Sequence, residues 1–253
     1  MSRVAVVTGA SSGIGEALAR QLASRGWHCV LVARREERLK PLADSIGGEY
    51  ELCDVADRAS VERAAARVLA RHPQIKLLVN NAGVAARATF LNGEPEVFES
   101  VMRTNYLGGI WCLRAFLPGL EAAAPADVVN VVSVAGVVAF PPSGPYSASK
   151  HAQLAFSRAT AAQLRPRGIH VHTVKPGFVE TEGFPQKWLP RGARRFVVGP
   201  QRIAEHIVAS VERGKGETTV PWYYAVGGVA QALMPNVVTR VLARSGARTR
   251  IER

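Results

Sequence analysis

Val4-Ala5-Val6-Val7-Thr8-Gly9-Ala10-Ser11-Ser12-Gly13-Ile14-Gly15 runs from a continuous apolar stretch through a glycine-rich turn into a helix-like segment that ends near Arg25. Strand, glycine turn and helix in that order let backbone N–H groups and a helix N-terminus hold a pyrophosphate. Glycine is needed where the main chain must approach a phosphate or adopt positive φ. The spacing is G-x-x-x-G-x-G, not the G-x-G-x-x-G of the common dinucleotide fingerprint. The same residues also read as G-x-S-x-G, the nucleophile turn of serine hydrolases. That chemistry needs an oxyanion loop from an earlier strand, and the few residues before Val4 supply none.

Outward from this turn, short apolar runs alternate with helix-length segments. Strands are expected near residues 3–8, 28–33, 49–53, 76–80, 127–132, 169–174 and 217–220. Helices are expected near 14–25, 36–46, 57–71, 95–121, 146–166 and 201–213. Runs such as Val128-Val129-Asn130-Val131-Val132 are continuous, as strands of a parallel sheet covered on both faces should be. The fold class is therefore α/β, a single Rossmann-like domain over residues 1–253, doubly wound and seven-stranded.

Tyr146 and Lys150 stand four apart in Tyr146-Ser147-Ala148-Ser149-Lys150, on one face of an expected helix. A nearby ammonium favours the phenolate, so the pair is expected to lower the tyrosine pKa and form an acid–base unit. Ser147–Lys150 also matches S-x-x-K of penicillin-binding enzymes, but neither of their partner motifs, Ser-Asp-Asn or Lys-Thr-Gly, occurs. Ser133 follows the apolar run ending at Val132, at the carboxyl end of a central strand, where its hydroxyl can donate to an oxygen gaining charge.

Taken in order, Thr8–Gly15, Asp54-Val55, Asn80-Asn81-Ala82-Gly83, Asn105, Ser133, Tyr146 with Lys150, and Pro176-Gly177 with Thr181 resemble the short-chain dehydrogenase/reductase family in its single-domain form. The resemblance runs from Val4 to about Val220. It implies strand order 3-2-1-4-5-6-7 and an enzyme interconverting an alcohol and a ketone or aldehyde with a nicotinamide dinucleotide. It implies Asn105, Ser133, Tyr146 and Lys150 as catalytic residues, with Asn105 holding a water that relays protons from Lys150. The cofactor-binding residues it implies are Gly9, Ser11, Ser12, Gly13, Ile14, Gly15, Asp54, Val55, Asn81, Ala82, Gly83, Tyr146, Lys150, Pro176, Gly177, Val179 and Thr181. It also implies a homodimer or homotetramer packed through the helices at 95–121 and 146–166. The alternative from another class is a non-catalytic regulator or scaffold that binds the dinucleotide on the same fold.

Cofactor choice rests on the end of the second strand. An acid there would bind the ribose 2′-hydroxyl of NAD. Val32-Ala33-Arg34-Arg35 offers guanidiniums instead, so NADP is expected, with Arg34 carrying the preference and Arg35 helping. Ser12 occupies a turn position where NADP-using relatives often carry a basic residue.

The chain of 253 residues is 47% hydrophobic, enough for a good core, and its net charge is +12. The basic residues are spread along the chain and are not interleaved with aromatics on a recognisable module, so nucleic acid is not an expected partner. Cys29, Cys53 and Cys112 lack metal-ligand spacing, no His-Glu-x-x-His occurs, and no metal site is expected. Buried free thiols and the absence of a leader-like stretch point to the cytoplasm. Residues 178–199 read as a substrate loop. The extension at 222–253 holds an apolar stretch interrupted by Gly227-Gly228, Gln231, Pro235-Asn236 and Arg240. It is not expected to span a membrane; a pocket wall, a subunit interface or a monotopic surface patch remain open. Val134, Val137, Val138, Phe140, Phe178, Phe184, Trp188, Trp222, Tyr223 and Tyr224 favour a bulky apolar carbonyl substrate.

Overall fold

The computed structural model describes residues 3–86, 88–186 and 191–246. The apolar runs form seven strands, β1 (Arg3–Thr8), β2 (Trp27–Ala33), β3 (Glu49–Leu52), β4 (Leu77–Asn80), β5 (Ala126–Val131), β6 (Ile169–Pro176) and β7 (Glu217–Val220). They pair in parallel in the order β3-β2-β1-β4-β5-β6-β7, as expected. Order reverses between β1 and β4, which opens a crevice at their carboxyl ends.

Between the strands lie α1 (Gly13–Ala23), α2 (Glu36–Ile46), α3 (Arg58–Arg71), α4 (Pro95–Met102), α5 (Gly108–Ala122), α6 (Gly144–Leu164), α7 (Arg191–Arg194) and α8 (Pro200–Glu212). After β7 come α9 (Ala225–Leu233) and α10 (Pro235–Gly246). Side chains alternate across each strand. In β1, Ala5 and Val7 join the core against α1, α2 and α8, with Leu18, Leu39 and Ile203. Val4 and Val6 join the other, against α3, α5 and α6, with Val61, Phe116 and Leu164. Burial on both faces explains the continuous apolar runs.

Two segments differ from expectation. The helix expected over 95–121 is interrupted by a π-helical turn at Arg103–Leu107, with Asn105 buried inside it. Such a turn carries an extra residue and re-aims a side chain. The extension after β7, expected only as an apolar stretch, forms a 3₁₀ turn at Trp222–Tyr224 followed by α9 and α10, separated at Pro235. Among the described residues no helix is long and apolar enough to cross a membrane. In the 178–199 segment Val179 bridges to Val198. Trp188 lies outside the described residues.

Inside the sheet, Asn80 Nδ2 donates to Asn130 Oδ1 at 2.9 Å and Asn130 Nδ2 donates to Ser157 Oγ at 2.8 Å. Ser157 shares a 2.6 Å hydrogen bond with Thr173, so β4, β5, α6 and β6 are tied by one buried polar chain. Removing a member leaves desolvated groups unpaired. Asn130→Ala should therefore lower stability by about 1–3 kcal/mol. Urea denaturation checks this, and an unchanged midpoint would mean the chain of polar groups contributes nothing.

Candidate active site

The expected site residues gather along the carboxyl ends of the strands. After β1, Gly9 and Gly13 hold φ of +65° and +61°. A Cβ on Gly15 would lie 2.3 Å from the Gly9 carbonyl oxygen, so the turn folds onto itself only with glycine there. Ser12, the N-cap of α1, makes no side-chain cap, which leaves the first N–H groups of α1 without that competitor for an anion. Thr8 Oγ1 donates to the Val79 carbonyl at 3.0 Å and accepts from the Asn81 and Ala82 N–H groups at 3.0 and 3.1 Å. Asn81 Nδ2 donates back to Thr8 O at 2.9 Å, locking the ends of β1 and β4 together. Ile14 packs against the core below the turn.

After β2, the two arginines diverge. Arg35 folds over the glycine turn, donating from Nε and Nη2 to Ser11 Oγ at 3.2 and 3.1 Å and from Nη2 to Ser12 Oγ at 2.9 Å. Its Nη1 meets Glu182, in the segment after β6, at 3.1 Å. Arg34 is exposed and reaches Asp54, past β3, at 3.5 Å. Val55 is buried against Gly108, the first residue of α5. Past β6, Gly177 lies directly under the Tyr224 ring, Val179 is buried, and Thr181 rests on Gly13.

Ser133 stands just beyond β5, and its Oγ accepts from the Ala135 N–H at 3.1 Å. This local cap fixes the hydroxyl beside Tyr146, where it favours the phenolate. Lys150 is 3% exposed, and its Nζ donates to the Val131 carbonyl at 3.1 Å and to Gln153 Oε1 at 2.7 Å. Asn105 accepts from the Val84 N–H at 2.8 Å and donates to Val84 O and Ser149 Oγ, both at 3.0 Å. A Cβ on Gly83 would lie 3.2 Å from Asn105 Oδ1 and 3.7 Å from Lys150 Nζ, so the ends of β4, the π turn and α6 converge on one point.

The electrostatics correct one expectation. Burial pushes the Tyr146 phenol up to about 12, with the Ser133 hydrogen bond pulling the other way. Burial also brings Lys150 down to about 7. Lys150 is buried and Tyr146 half-buried, so the charged form of each loses hydration, and an amine near neutrality gives little positive field. In the cofactor-free protein desolvation outweighs the attraction inferred from i, i+4 spacing.

Sequence reasoning missed the residues that hold these groups. Gln153 anchors Lys150 one turn along α6, Ser149 anchors Asn105, and Thr8 ties the glycine turn to β4. Gln153, at i+3 from Lys150, was the one with a readable signal. Val134 and Val138 are core, whereas aromatic rings line the rim. Phe184 lies 5.5 Å from the Tyr146 ring, Phe140 6.3 Å from Phe178, and Phe178 5.8 Å from Tyr224. At the opposite end of the sheet His28 and His72 both meet Glu49 Oε1 at 3.0 Å, a cluster that spacing could not reveal. Arg71 holds the other oxygen at 2.9 Å, so that carboxylate is engaged on both sides.

A family model described as short chain dehydrogenase matches residues 3–190, and the chain belongs to that family. Dehydrogenase/reductase SDR family member 7B of Xenopus laevis is 35% identical over 189 residues, 70% of this chain and 58% of that protein. The chain thus matches about three-fifths of the length of the curated relatives first found. A short chain dehydrogenase from Burkholderia cenocepacia, solved in complex with NADP, superposes with a TM-score of 0.83 at 28% identity, covering 95% of this chain and 97% of that one. A short chain dehydrogenase/reductase from Burkholderia phymatum, solved in complex with NAD, gives 0.81 at 26% identity, covering 93% and 95%.

Lys150 has a pH signature. Its folded pKa of about 7 lies below the ordinary 10.5, so between those values the unfolded chain holds a proton that the folded protein does not. Stability of the cofactor-free protein should therefore rise with pH in that window, until Tyr146, raised from 10, opposes it above pH 10. Lys150→Met should flatten the rise. Parallel melting profiles for wild type and variant from neutral pH to just below pH 10 would show that burial does not depress the lysine.

Proposed function

We propose that the chain is an NADP(H)-dependent oxidoreductase that interconverts an alcohol and a ketone or aldehyde, working chiefly to reduce a bulky apolar carbonyl compound. The observation that carries the reading is the meeting of Ser133, Tyr146, Lys150 and Asn105 beside a glycine turn at the switch point of the sheet. The turn fits a dinucleotide: two left-handed glycines, a third that no side chain could replace, and an uncapped helix N-terminus. Gly9–Gly15 and the Asn81–Gly83 end of β4 would hold the pyrophosphate and ribose side, and Lys150 the nicotinamide ribose.

Bound there, the cofactor supplies the hydride. Ser133 donates to the substrate oxygen as it gains charge, and Tyr146 delivers the proton. The phenol, raised by burial, is neutral at neutral pH and so holds the proton that reduction would consume. Lys150 and Asn105 stand behind it as the route for replacing that proton. The aromatic rim of Phe140, Phe178, Phe184 and Tyr224 supports an apolar substrate.

For the cofactor, no carboxylate ends β2, and Arg35 lies on Ser11 and Ser12 where a 2′-phosphate could be gripped bidentately. This geometry supports giving the main role to Arg35, with Arg34 beside it. For assembly, an open groove of about 700 Å³ lies between α5 and α6, lined by Ile110, Leu113, Leu117, Phe156 and Leu164. It supports pairing with a second copy, and light scattering should give a multiple of 27.1 kDa. Three free buried cysteines support a reducing, cytoplasmic setting.

Tyr146→Phe should reduce turnover of any accepted carbonyl by about 100-fold or more while NADPH still binds. Retained activity in a steady-state assay would remove Tyr146 from the chemistry. Arg35→Ala should weaken NADPH by about tenfold or more, roughly 1.5–3 kcal/mol, and leave NADH nearly unchanged. Fluorescence titration measures both, and equal wild-type affinities would end the argument for NADP.

A further inference from the structure

The helices after β7 rest on the body of the protein by one face and leave the other to solvent. None of the residues from Ala225 to Arg244 is buried, although helices of nine and twelve residues need a packed face to persist in water. In α9, Val226, Val229 and Leu233 recur at i, i+3 and i+7 and all are exposed, Leu233 at 75%. In α10, Val237, Arg240, Val241 and Arg244 recur at i, i+3, i+4 and i+7, so exposed valines and arginines share one face. Trp222, 76% exposed, stands beside them.

Charge on this stretch has one sign. From Thr218 to Ile251 the sequence contains no aspartate or glutamate, while it carries Arg240, Arg244, Arg248 and Arg250. An apolar stripe flanked by arginines, with a tryptophan at its edge, is the chemistry of a helix lying in a lipid headgroup region. We propose that Trp222, α9 and α10 dock the protein on the surface of a bilayer rich in anionic phospholipid, without crossing it. Charge complementarity selects this occupant over a second copy of the chain, because two copies of an acid-free basic face repel. The patch also adjoins the site: Tyr224 packs on Phe178, Gly228 lies against Val137, and α10 touches the turn at Pro141–Ser143. An apolar compound leaving the bilayer would meet the aromatic rim directly, although docking itself does not depend on the proposed reaction.

Flotation of the full chain with vesicles of phosphatidylcholine plus about 30 mol % phosphatidylglycerol tests this without any turnover. Wild type should float with the anionic vesicles, about tenfold or more better than with phosphatidylcholine alone, and high salt should weaken it. Trp222 emission should shift to the blue on binding, a shift lost in Trp222→Phe. The double variant Val229→Glu, Val241→Glu should lose about tenfold or more of the binding while keeping its melting transition and NADPH affinity. If that variant does not fold, the wild-type salt dependence and Trp222 shift still decide. Failure of wild type to float with either vesicle overturns the proposal. So does a fall in mass to one chain in the double variant, which would assign the patch to self-association.

Discussion

The amine of Lys150 is sealed from solvent, hydrogen-bonded to a backbone carbonyl and a side-chain amide oxygen, and burial is the cause of its shift. A buried amine is tolerated only where donors and acceptors are placed to receive it. That requirement sets the distance between α6 and the end of β5, where Val131 accepts. It also brings Ser149 to Asn105 and crowds position 83, where a Cβ would lie 3.2 Å from Asn105 Oδ1. The buried chain of Asn80, Asn130, Ser157 and Thr173 stiffens the same region from within the sheet. Tyr146, one turn before Lys150, is thereby held against Ser133.

A second constraint operates at the glycine turn. Gly15 meets the Gly9 carbonyl, Gly13 meets Thr181, and Arg35 spans from the turn to Glu182. The glycine turn and the segment after β6 are therefore linked through one guanidinium. Whatever engages Arg35 acts on both.

The sheet was legible because parallel strands buried on both faces show as unbroken apolar runs, and the glycine turn because its conformations admit little else. Ser133, Tyr146 and Lys150 were legible through spacing and position. The π turn was not, since one extra residue only slips the apolar pattern of 95–121 by a single position, which segments this short blur; it shows only as an oddly placed Asn105. The relative weight of Arg34 and Arg35 depends on side-chain direction at the end of a strand, which sequence does not encode locally. His28, Glu49 and His72 come from β2, β3 and the end of α3, and only register brings them together. The sign of the Tyr146 shift was misread because spacing reports proximity and says nothing of desolvation.

The central claim is that burial governs the acid–base pair before any ligand binds, keeping Tyr146 a neutral phenol beside a lysine near half-protonation at neutral pH. The most direct measurement is an ultraviolet titration of phenolate in the cofactor-free protein, taken as the difference between wild type and Tyr146→Phe. The account predicts ionisation displaced above the ordinary value of 10, towards 12. A phenolate appearing below 10 would show that the Lys150 charge, and not burial, sets the chemistry of the site.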